Sequence, residues 1–517
     1  MIDTARSSLP SDVVDRLTRA IVGTGAPTTT ISPFTSAPLA KLPTSTPEDV
    51  ISAFAKARAA QAHWALVPPR ERAKPFIALH DLILNNKDLI NIVQAETGKA
   101  RNSAVEEMID AAGLALYYGR HAPKFLARRK RKGAIPLATR TAELRHPKGV
   151  VAIISPWNYP LSLGICDAIP ALLAGNGLVH KPDTQTALTS LQARELLIEA
   201  GLPADLWQVV VGEPSQVGDS LISFADHVSF TGSTAAGKRI AEAAARRLIG
   251  CTLELGGKNP MLVLEDADLD KAAAGAVRAC FSTAGQLCLS MERIYIADTV
   301  YDAYIDKLVD RTRKITLGSG LNWDYEVGTL TSQSQLDIVK RHVSDAISKG
   351  ATVLAGGKPR PDLGPFFYEP TILSGVTPDM EAYANETFGP VVSVYRISSD
   401  AEAVEFANDS NFGLNASVWT TNSRRGRRVA AQIRCGTVNI NEGVGSAYTS
   451  NDAPMGGMKA SGQGRRHGEH GLLEYTELQT IASQHFIGFE PLPGTTLKTN
   501  AALLIALYRL MKRLHIK

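Results

Sequence analysis

From Gly149 onward the chain alternates short apolar runs with helix-like text, and this alternation leaves few folds open. "GVVAIISPWNYP" begins as a continuous apolar run and breaks at Pro156. "GLVHKP" is a second run, ending at Pro182, and "WQVVVG" and "HVSFTGS" come after it. Between them lie "LSLGICDAIPALLAGN" and "ALTSLQARELLIEAG", the latter closed by Gly201, a residue suited to ending a helix. Runs that are apolar at every position suit strands buried on both faces. Strands separated by helices imply right-handed crossovers and a parallel sheet, so the class is α/β. Ligands of such sheets bind beyond the carboxyl ends of the strands. Asn158, Lys181, Gly212 and Ser233 occupy those ends and are site candidates by position alone.

A second alternating stretch comes after "LELGGKNPMLVL", through "ERIYIA", "PVVSVYRI" and "SVWTT", and predicts a second α/β domain. The Gly256–Gly257 pair is a hinge candidate between the two. Ahead of both, "TSTPEDVISAFAKARAAQAHWA" opens a helix: Thr46 suits the cap, Pro47 the first turn, and Asp49 closes a capping box. The 517 residues are too many for one core. With 55 basic and 51 acidic residues the charge is too balanced to argue for nucleic acid. The five cysteines are scattered, odd in number and without a CxxC, so neither a disulfide framework nor a metal site is expected. A reducing, cytoplasmic setting is the default, and the start "MIDTARSSLPSDVV" has no apolar signal core. The basic run "KFLARRKRKGAIPL" reads as a solvated face. At the other end, "AALLIALYRLMKRLHIK" is amphipathic and too short to span a bilayer. It predicts a helix packed on its own subunit or a neighbour, with membrane contact through this tail as the alternative.

"GSTAAGKR" has the glycine and lysine spacing of a phosphate loop, but Arg239 stands where Ser or Thr would hold magnesium. No GxGxxG occurs. What survives is a strand leading into a Gly-Ser helix start, which favours an anion or is a plain turn.

Three polar residues stand out near glycines and strand ends: Asn158 after Trp157, Glu254 in "LELGGK", and Cys288 in "FSTAGQLCLS". Singly, each has an ordinary reading: a helix cap, an ion-paired acid, a core thiol. Together with "PWNYP", "KPDT", "FTGSTAAG", "LELGGKNP", "GQLC", "ETFGPVV", "NFGLNASVWT", "GTVNIN" and "PMGGMKASGQGR", in that order, they make the chain resemble the aldehyde dehydrogenase superfamily over roughly Ser45 to Gln484.

The resemblance implies a Rossmann-like cofactor domain from residues 1–128 and 146–256, and a catalytic domain over 257–473. It implies oligomerisation segments at 129–145 and 474–490, the first a β-hairpin; residues 491–517 remain as an amphipathic extension. It implies Cys288 as the nucleophile that forms a thiohemiacetal and then a thioester, Asn158 and the Cys288 amide as oxyanion donors, and Glu254 as the base that activates water. Gly285 and Gln286 are read as allowing close approach to the thiol, and Leu287 and Leu289 as its dry wall. To the cofactor it assigns Pro156, Trp157, Lys181, Asp183, Thr184, Gly212, Gly232, Ser233, Leu255, Glu386 and Phe388.

NAD-selective members carry a glutamate where Thr184 stands, so NADP is favoured over NAD here, with Asp183 opposing. Members that oxidise succinate semialdehyde with NADP carry two arginines; Cys166 and Ser282 occupy those positions, which counts against that substrate. Arg466 likewise stands where an acid commonly comes after "GxGR". The expected partner is a small aldehyde, and the expected assembly a homodimer or tetramer in which the hairpin and a late strand from different subunits share one sheet. Other readings are succinate-semialdehyde oxidation, an acylating dehydrogenase, a membrane-associated fatty-aldehyde oxidiser and a catalytically silent protein; the intact Cys288, Glu254 and Asn158 oppose the last.

Overall fold

The computed structural model describes residues 9–135, 138–485, 490–491 and 493–516. The first sheet has strand order Gly462–Gln463, Gly250–Glu254, His227–Thr231, Val150–Ser155, Gly177–Pro182 and Trp207–Val209. All neighbours are parallel except Gly462–Gln463, which runs antiparallel to Gly250–Glu254. The apolar runs of the sequence are these strands, and every residue of His227–Thr231 and Gly177–Pro182 is buried. The chain winds outward from Val150–Ser155 on one side, then returns to its other side with His227–Thr231. The point of reversal therefore lies between the carboxyl ends of Val150–Ser155 and His227–Thr231, where a crevice opens in such sheets.

The helix Pro47–Trp64 starts as expected. The Thr46 hydroxyl accepts the Asp49 amide at 3.3 Å, and the Asp49 carboxylate accepts the Thr46 amide at 2.9 Å. The helix Pro160–Leu173 is buried on every face, consistent with its unbroken apolar text.

The second sheet has order Thr352–Ala355, Thr371–Ser374, Val391–Ile397, Met291–Ala297, Asn259–Val263, Asn415–Trp419 and Thr437–Ile440. Only Thr352–Ala355 runs antiparallel to its neighbour. Gly462–Gln463 lies in the stretch read as catalytic domain, yet it joins the first sheet, so the late chain crosses back before residue 473.

A three-stranded antiparallel sheet joins Thr476–Gln484, Thr139–Pro147 and Arg129–Arg131. Here the structure corrects the sequence reading. The hairpin and the late strand pair within one chain, in a nine-residue register from Thr476↔Pro147 to Gln484↔Thr139. The reason is local. The helix Gly468–Leu473 docks on Arg101–Phe125 and Pro160–Leu173, which delivers Thr476 to Pro147 of its own chain. The parts at 136–137 and 486–489 of the two segments expected to oligomerise lie outside the described residues, as do 1–8 of the expected cofactor domain and 492 and 517 of the extension.

The extension forms the helix Leu497–Arg513, capped by Thr496. Asn500 and Met511 are buried, while Leu503, Leu510 and Leu514 are exposed. Among the described residues no helix is long and apolar enough to cross a membrane.

Candidate active site

A cavity of about 290 Å³ opens at the reversal point of the first sheet. It gathers Pro156, Trp157 and Asn158 after one strand, Gly232 and Ser233 after the next, and Glu254 at the end of the third with Leu255 just beyond it. Cys288, Glu386 and Phe388 reach it from the second sheet's side. Residues separated by more than two hundred positions thus share one space.

The loop that carries Cys288 is held in an unusual backbone shape. Thr283, Ala284 and Gly285 all have positive φ, at 53°, 53° and 71°. Two of the three are not glycine, so the loop stores strain of a kind found at functional sites. A Cβ on Gly285 would lie 2.1 Å from the Gly389 carbonyl oxygen. Gly285 is therefore required by packing against Gly389, and not by access to the thiol as the sequence suggested. Gln286 is likewise a clamp. Its side chain accepts the Thr331 amide at 3.0 Å and donates to the Thr283 carbonyl at 3.1 Å. Asn259 Nδ2 donates to the Cys288 carbonyl at 2.7 Å and fixes the backbone that carries the thiol. Burial, with the Glu254 and Glu386 carboxylates nearby, pushes the Cys288 thiol up to about 12.

Glu254 is buried, and neither carboxylate oxygen has a hydrogen-bond partner among the described residues. Burial pushes its carboxyl up to about 8, although Arg466 pulls the other way. Gly456 gives it room: a Cβ there would lie 2.8 Å from Glu254 Oε1. Asn158 Nδ2 donates to the Gln286 carbonyl at 3.0 Å. The Asn158 carbonyl accepts Lys99 Nζ at 2.7 Å, and Lys99 is ion-paired to buried Glu107. The amide of Asn158 is thus pinned from both ends.

Glu386 Oε1 accepts the Gly257 amide at 2.8 Å, and a Cβ on Gly256 would fall 2.4 Å from Glu386 Oε2. The glycine pair read as a hinge is the seat of this carboxylate. The Phe388 ring meets Trp157 edge-on, with centroids 5.6 Å apart. Glu292, buried on Met291–Ala297, accepts the Thr387 and Phe388 amides and binds Lys258 at 2.5 Å. Gln335 donates to the Phe388 carbonyl at 2.8 Å. Sequence reasoning missed Glu292 and Gln335; for Glu292 the signal was a charge placed on an apolar strand, which requires a partner, and Gln335, on the helix Gln333–Ser348, carried none.

On the other side, Ser233 caps the helix Thr234–Arg246 by accepting the Ala236 amide at 3.3 Å. Gly237 of that helix has Leu255 against it, with Cδ2 2.5 Å from where a Cβ would stand. The remaining predicted cofactor residues fall outside this cavity. Lys181 lines a neighbouring one of about 610 Å³, with Pro214, Phe230, Arg239 and Ile240. Thr184 and Gly212 line a third of about 540 Å³. Asp183 caps the turn after its strand by accepting the Gln185 amide at 2.9 Å. Glu213 shares the cavity of Thr184, an acid that sequence reasoning did not weigh.

Leu287 and Leu289, which flank Cys288, face a further cavity of about 280 Å³. Tyr159, Tyr448, Asp110 and Glu106 line it, and Arg278 is its one basic residue. Arg278 pairs with Glu106 at 3.3 Å. Asp110 accepts the Tyr448 hydroxyl at 2.8 Å and is pushed up to about 6 by burial. Cys166 is buried within Pro160–Leu173, and Ser282 begins the turn that leads to Cys288; neither supplies a cation.

Residues 22–481 match the aldehyde dehydrogenase family. The chain belongs to the aldehyde dehydrogenase family. It is 53% identical over 459 residues to a protein of Mycolicibacterium smegmatis provisionally named an NADP(+) succinate-semialdehyde dehydrogenase, covering 89% of each chain. Its fold is similar to the betaine aldehyde dehydrogenase of Staphylococcus aureus solved with NAD+, with a TM-score of 0.86, 32% identity, and 91% and 96% of the two chains covered. It is also similar to an NADP-dependent enzyme of Escherichia coli, with a TM-score of 0.85, 34% identity, and 89% and 95% covered.

Proposed function

We propose that the protein oxidises a small aldehyde to its carboxylic acid with NAD+ or NADP+, using Cys288, Asn158 and Glu254. The observation that carries this is one cavity holding a thiol, a pinned amide and a buried carboxylate whose two oxygens have no partner among the described residues. The residues present fit a dinucleotide. The helix start at Ser233 offers backbone amides to a pyrophosphate. Gly256 keeps the Glu386 carboxylate against the backbone at the inner end, and the Trp157 and Phe388 rings supply apolar walls. Lys181, Thr184 and Gly212 would receive the adenosine half. When bound, the nicotinamide supplies the hydride acceptor.

The chain's own residues divide the work. The Cys288 sulfur adds to the aldehyde carbon after losing its proton. Asn158 Nδ2 and the Cys288 amide donate to the oxygen on which charge develops. Loss of hydride leaves an acyl group on Cys288 as a thioester. Glu254 takes a proton from water, which attacks the thioester and releases the acid and the thiol. The buried, high-lying carboxyl of Glu254 suits a base working near neutral pH. The aldehyde's side chain would extend past Leu287 and Leu289 toward Tyr159 and Tyr448.

Thr184 in place of an acid favours NADP; Glu213 and Asp183 near Lys181 oppose it. A second reading, succinate-semialdehyde oxidation, is supported by the provisional name of the Mycolicibacterium smegmatis relative. Arg278, at the far cavity, is then the group to hold the second carboxylate. Reduced-nicotinamide absorbance with a panel of neutral, cationic and carboxylate aldehydes, each with NAD+ and NADP+, tests both readings. Turnover with no aldehyde in the panel overturns the first, and preference for neutral aldehydes overturns the second.

For assembly, we infer a homodimer through the outer edge of Thr476–Gln484, whose residues beyond Thr476 are exposed. A strand edge that is long and open invites pairing with another chain.

A further inference from the structure

Arg466 and Asp167 form an ion pair beneath the active-site cavity. Arg466 Nε donates to Asp167 Oδ1 at 2.9 Å and Nη2 to Oδ2 at 2.5 Å, a two-pronged contact with both side chains buried. The Tyr475 hydroxyl adds a third donor to Asp167, at 3.1 Å. The same Arg466 Nη2 also donates to the Thr231 hydroxyl. Thr231 is the register partner of Glu254 on the adjacent strand, and both line the cavity with Cys288. The guanidinium is thus held one side chain from a carboxylate that has no hydrogen bond among the described residues.

We propose that Arg466, locked in place by Asp167, is the cation that keeps Glu254 able to ionise, and so is a positioning residue for hydrolysis of the Cys288 thioester. This rests on the reading of Glu254 as the base. A guanidinium remains protonated and cannot take the proton that Glu254 removes from water. Its action is electrostatic. The other charged or titratable groups facing Glu254 are Arg465 from the same loop, Asp167 and Cys166 from Pro160–Leu173, and Cys288 and Glu386 across the cavity. Asp167 opposes Arg466, and Arg465 assists it less. Asp167 therefore has two effects: it compensates the buried guanidinium, and it weakens the pull on Glu254. Removing both charges leaves Glu254 harder to ionise.

The test uses 4-nitrophenyl acetate, an activated ester that acylates a thiol without any cofactor. The burst of nitrophenol, read at its isosbestic wavelength, reports acylation of Cys288, and the steady phase reports deacylation. The uncharged pair Asp167→Asn/Arg466→Gln removes both charges and leaves amides that can still hydrogen-bond. It should retain the burst and displace the acid limb of the steady phase upward by about 1 pH unit. The reversed pair Asp167→Arg/Arg466→Asp should displace it further, and covers the case in which the uncharged pair does not fold. Arg466→Lys should leave the limb nearly in place. A folded pair, by circular dichroism and melting, with an unmoved limb overturns the proposal. A limb that moves more with Arg465→Gln than with the uncharged pair overturns it also. Glu254→Gln with a full steady phase instead sinks the reading of Glu254 as base, a separate result.

Discussion

Asn158 Nδ2 donates to the Gln286 carbonyl at 3.0 Å, two residues ahead of Cys288. This contact joins the carboxyl end of a first-sheet strand to the loop that carries Cys288. The buried Lys99–Glu107 pair, held on the Asn158 carbonyl, makes the join rigid.

Asn158→Ala should therefore remove an oxyanion donor and loosen the loop together. The expected loss in kcat/KM is roughly 10²–10³, with most of it in kcat. Steady-state kinetics on a folded variant checks it. A change confined to KM would mean that Asn158 only positions substrate.

Cys288→Ala should abolish aldehyde oxidation, since no other thiol shares the cavity: Cys166, Cys280 and Cys435 are buried, and Cys251 lies elsewhere on its strand. Glu254→Gln should behave differently. A burst of reduced nicotinamide is expected, then slow turnover as the thioester waits for water. Stopped-flow absorbance separates the two, and substantial turnover by Cys288→Ala contradicts the assignment.

With Glu254 as the proposed base, the pH dependence is expected to come from its carboxyl. The base must be ionised, and its carboxyl is pushed up to about 8, so the hydrolytic rate should rise with pH through that value and then level. Stability runs the other way. A carboxyl that holds its proton more tightly folded than unfolded contributes stability that is full below the unfolded value of 4.5. That contribution fades as pH rises toward 8. Glu254→Gln has no charge to bury, so it should melt higher than the native protein at pH 8, by roughly 2–5 °C, and about equally at pH 4.5. Melting curves at the two pH values check it; equal melting at both would mean that water already solvates the carboxylate.

Much of this site was legible in the chain because its parts sit at strand ends. Pro156 and Pro182 stop apolar runs, and the residues just past a stopped strand in a parallel sheet face the crevice. Thr46, Pro47 and Asp49 specify their helix start within four residues. The illegible part depends on partners far apart in sequence. Asp167 in an otherwise apolar helix and Arg466 in a glycine-rich loop stand 299 positions apart, and neither reads as half of a pair. Gly285 and Gln286 were misread for the same reason: their constraints come from Gly389, Thr331 and Thr283, across a packing boundary that no local pattern reports.

Thr184→Glu adds a carboxylate to a cavity that already holds Glu213. A second acid there should repel a 2′-phosphate and move the ratio of NADP to NAD efficiency toward NAD by about tenfold or more, since like charges brought together cost several kcal/mol. Paired kcat/KM values with the two cofactors check it. An unchanged ratio would place the adenosine ribose away from Thr184.

The last expectation concerns the strand Thr476–Gln484. One of its edges is taken, residue by residue, by Thr139–Pro147 of the same chain. Its own apolar side chains are left outside: Leu478 is 60% exposed and Ile481 45%. Adjacent polar residues such as Glu477 and Gln479 keep the strand soluble without covering it. A second copy of the chain could cover both leftover features at once, by strand pairing along the free edge and by contact with Leu478 and Ile481. Leu478→Lys/Ile481→Lys should then convert a dimer into monomers while leaving the intrachain register, and hence the fold, in place. Ending the chain after Pro491 should not, because the helix Leu497–Arg513 is a separate element beyond the sheet. Light scattering coupled to size exclusion distinguishes the two variants. Monomers from the shortened chain would transfer the contact to the helix, and an intact dimer in the double-lysine variant would remove the strand from it.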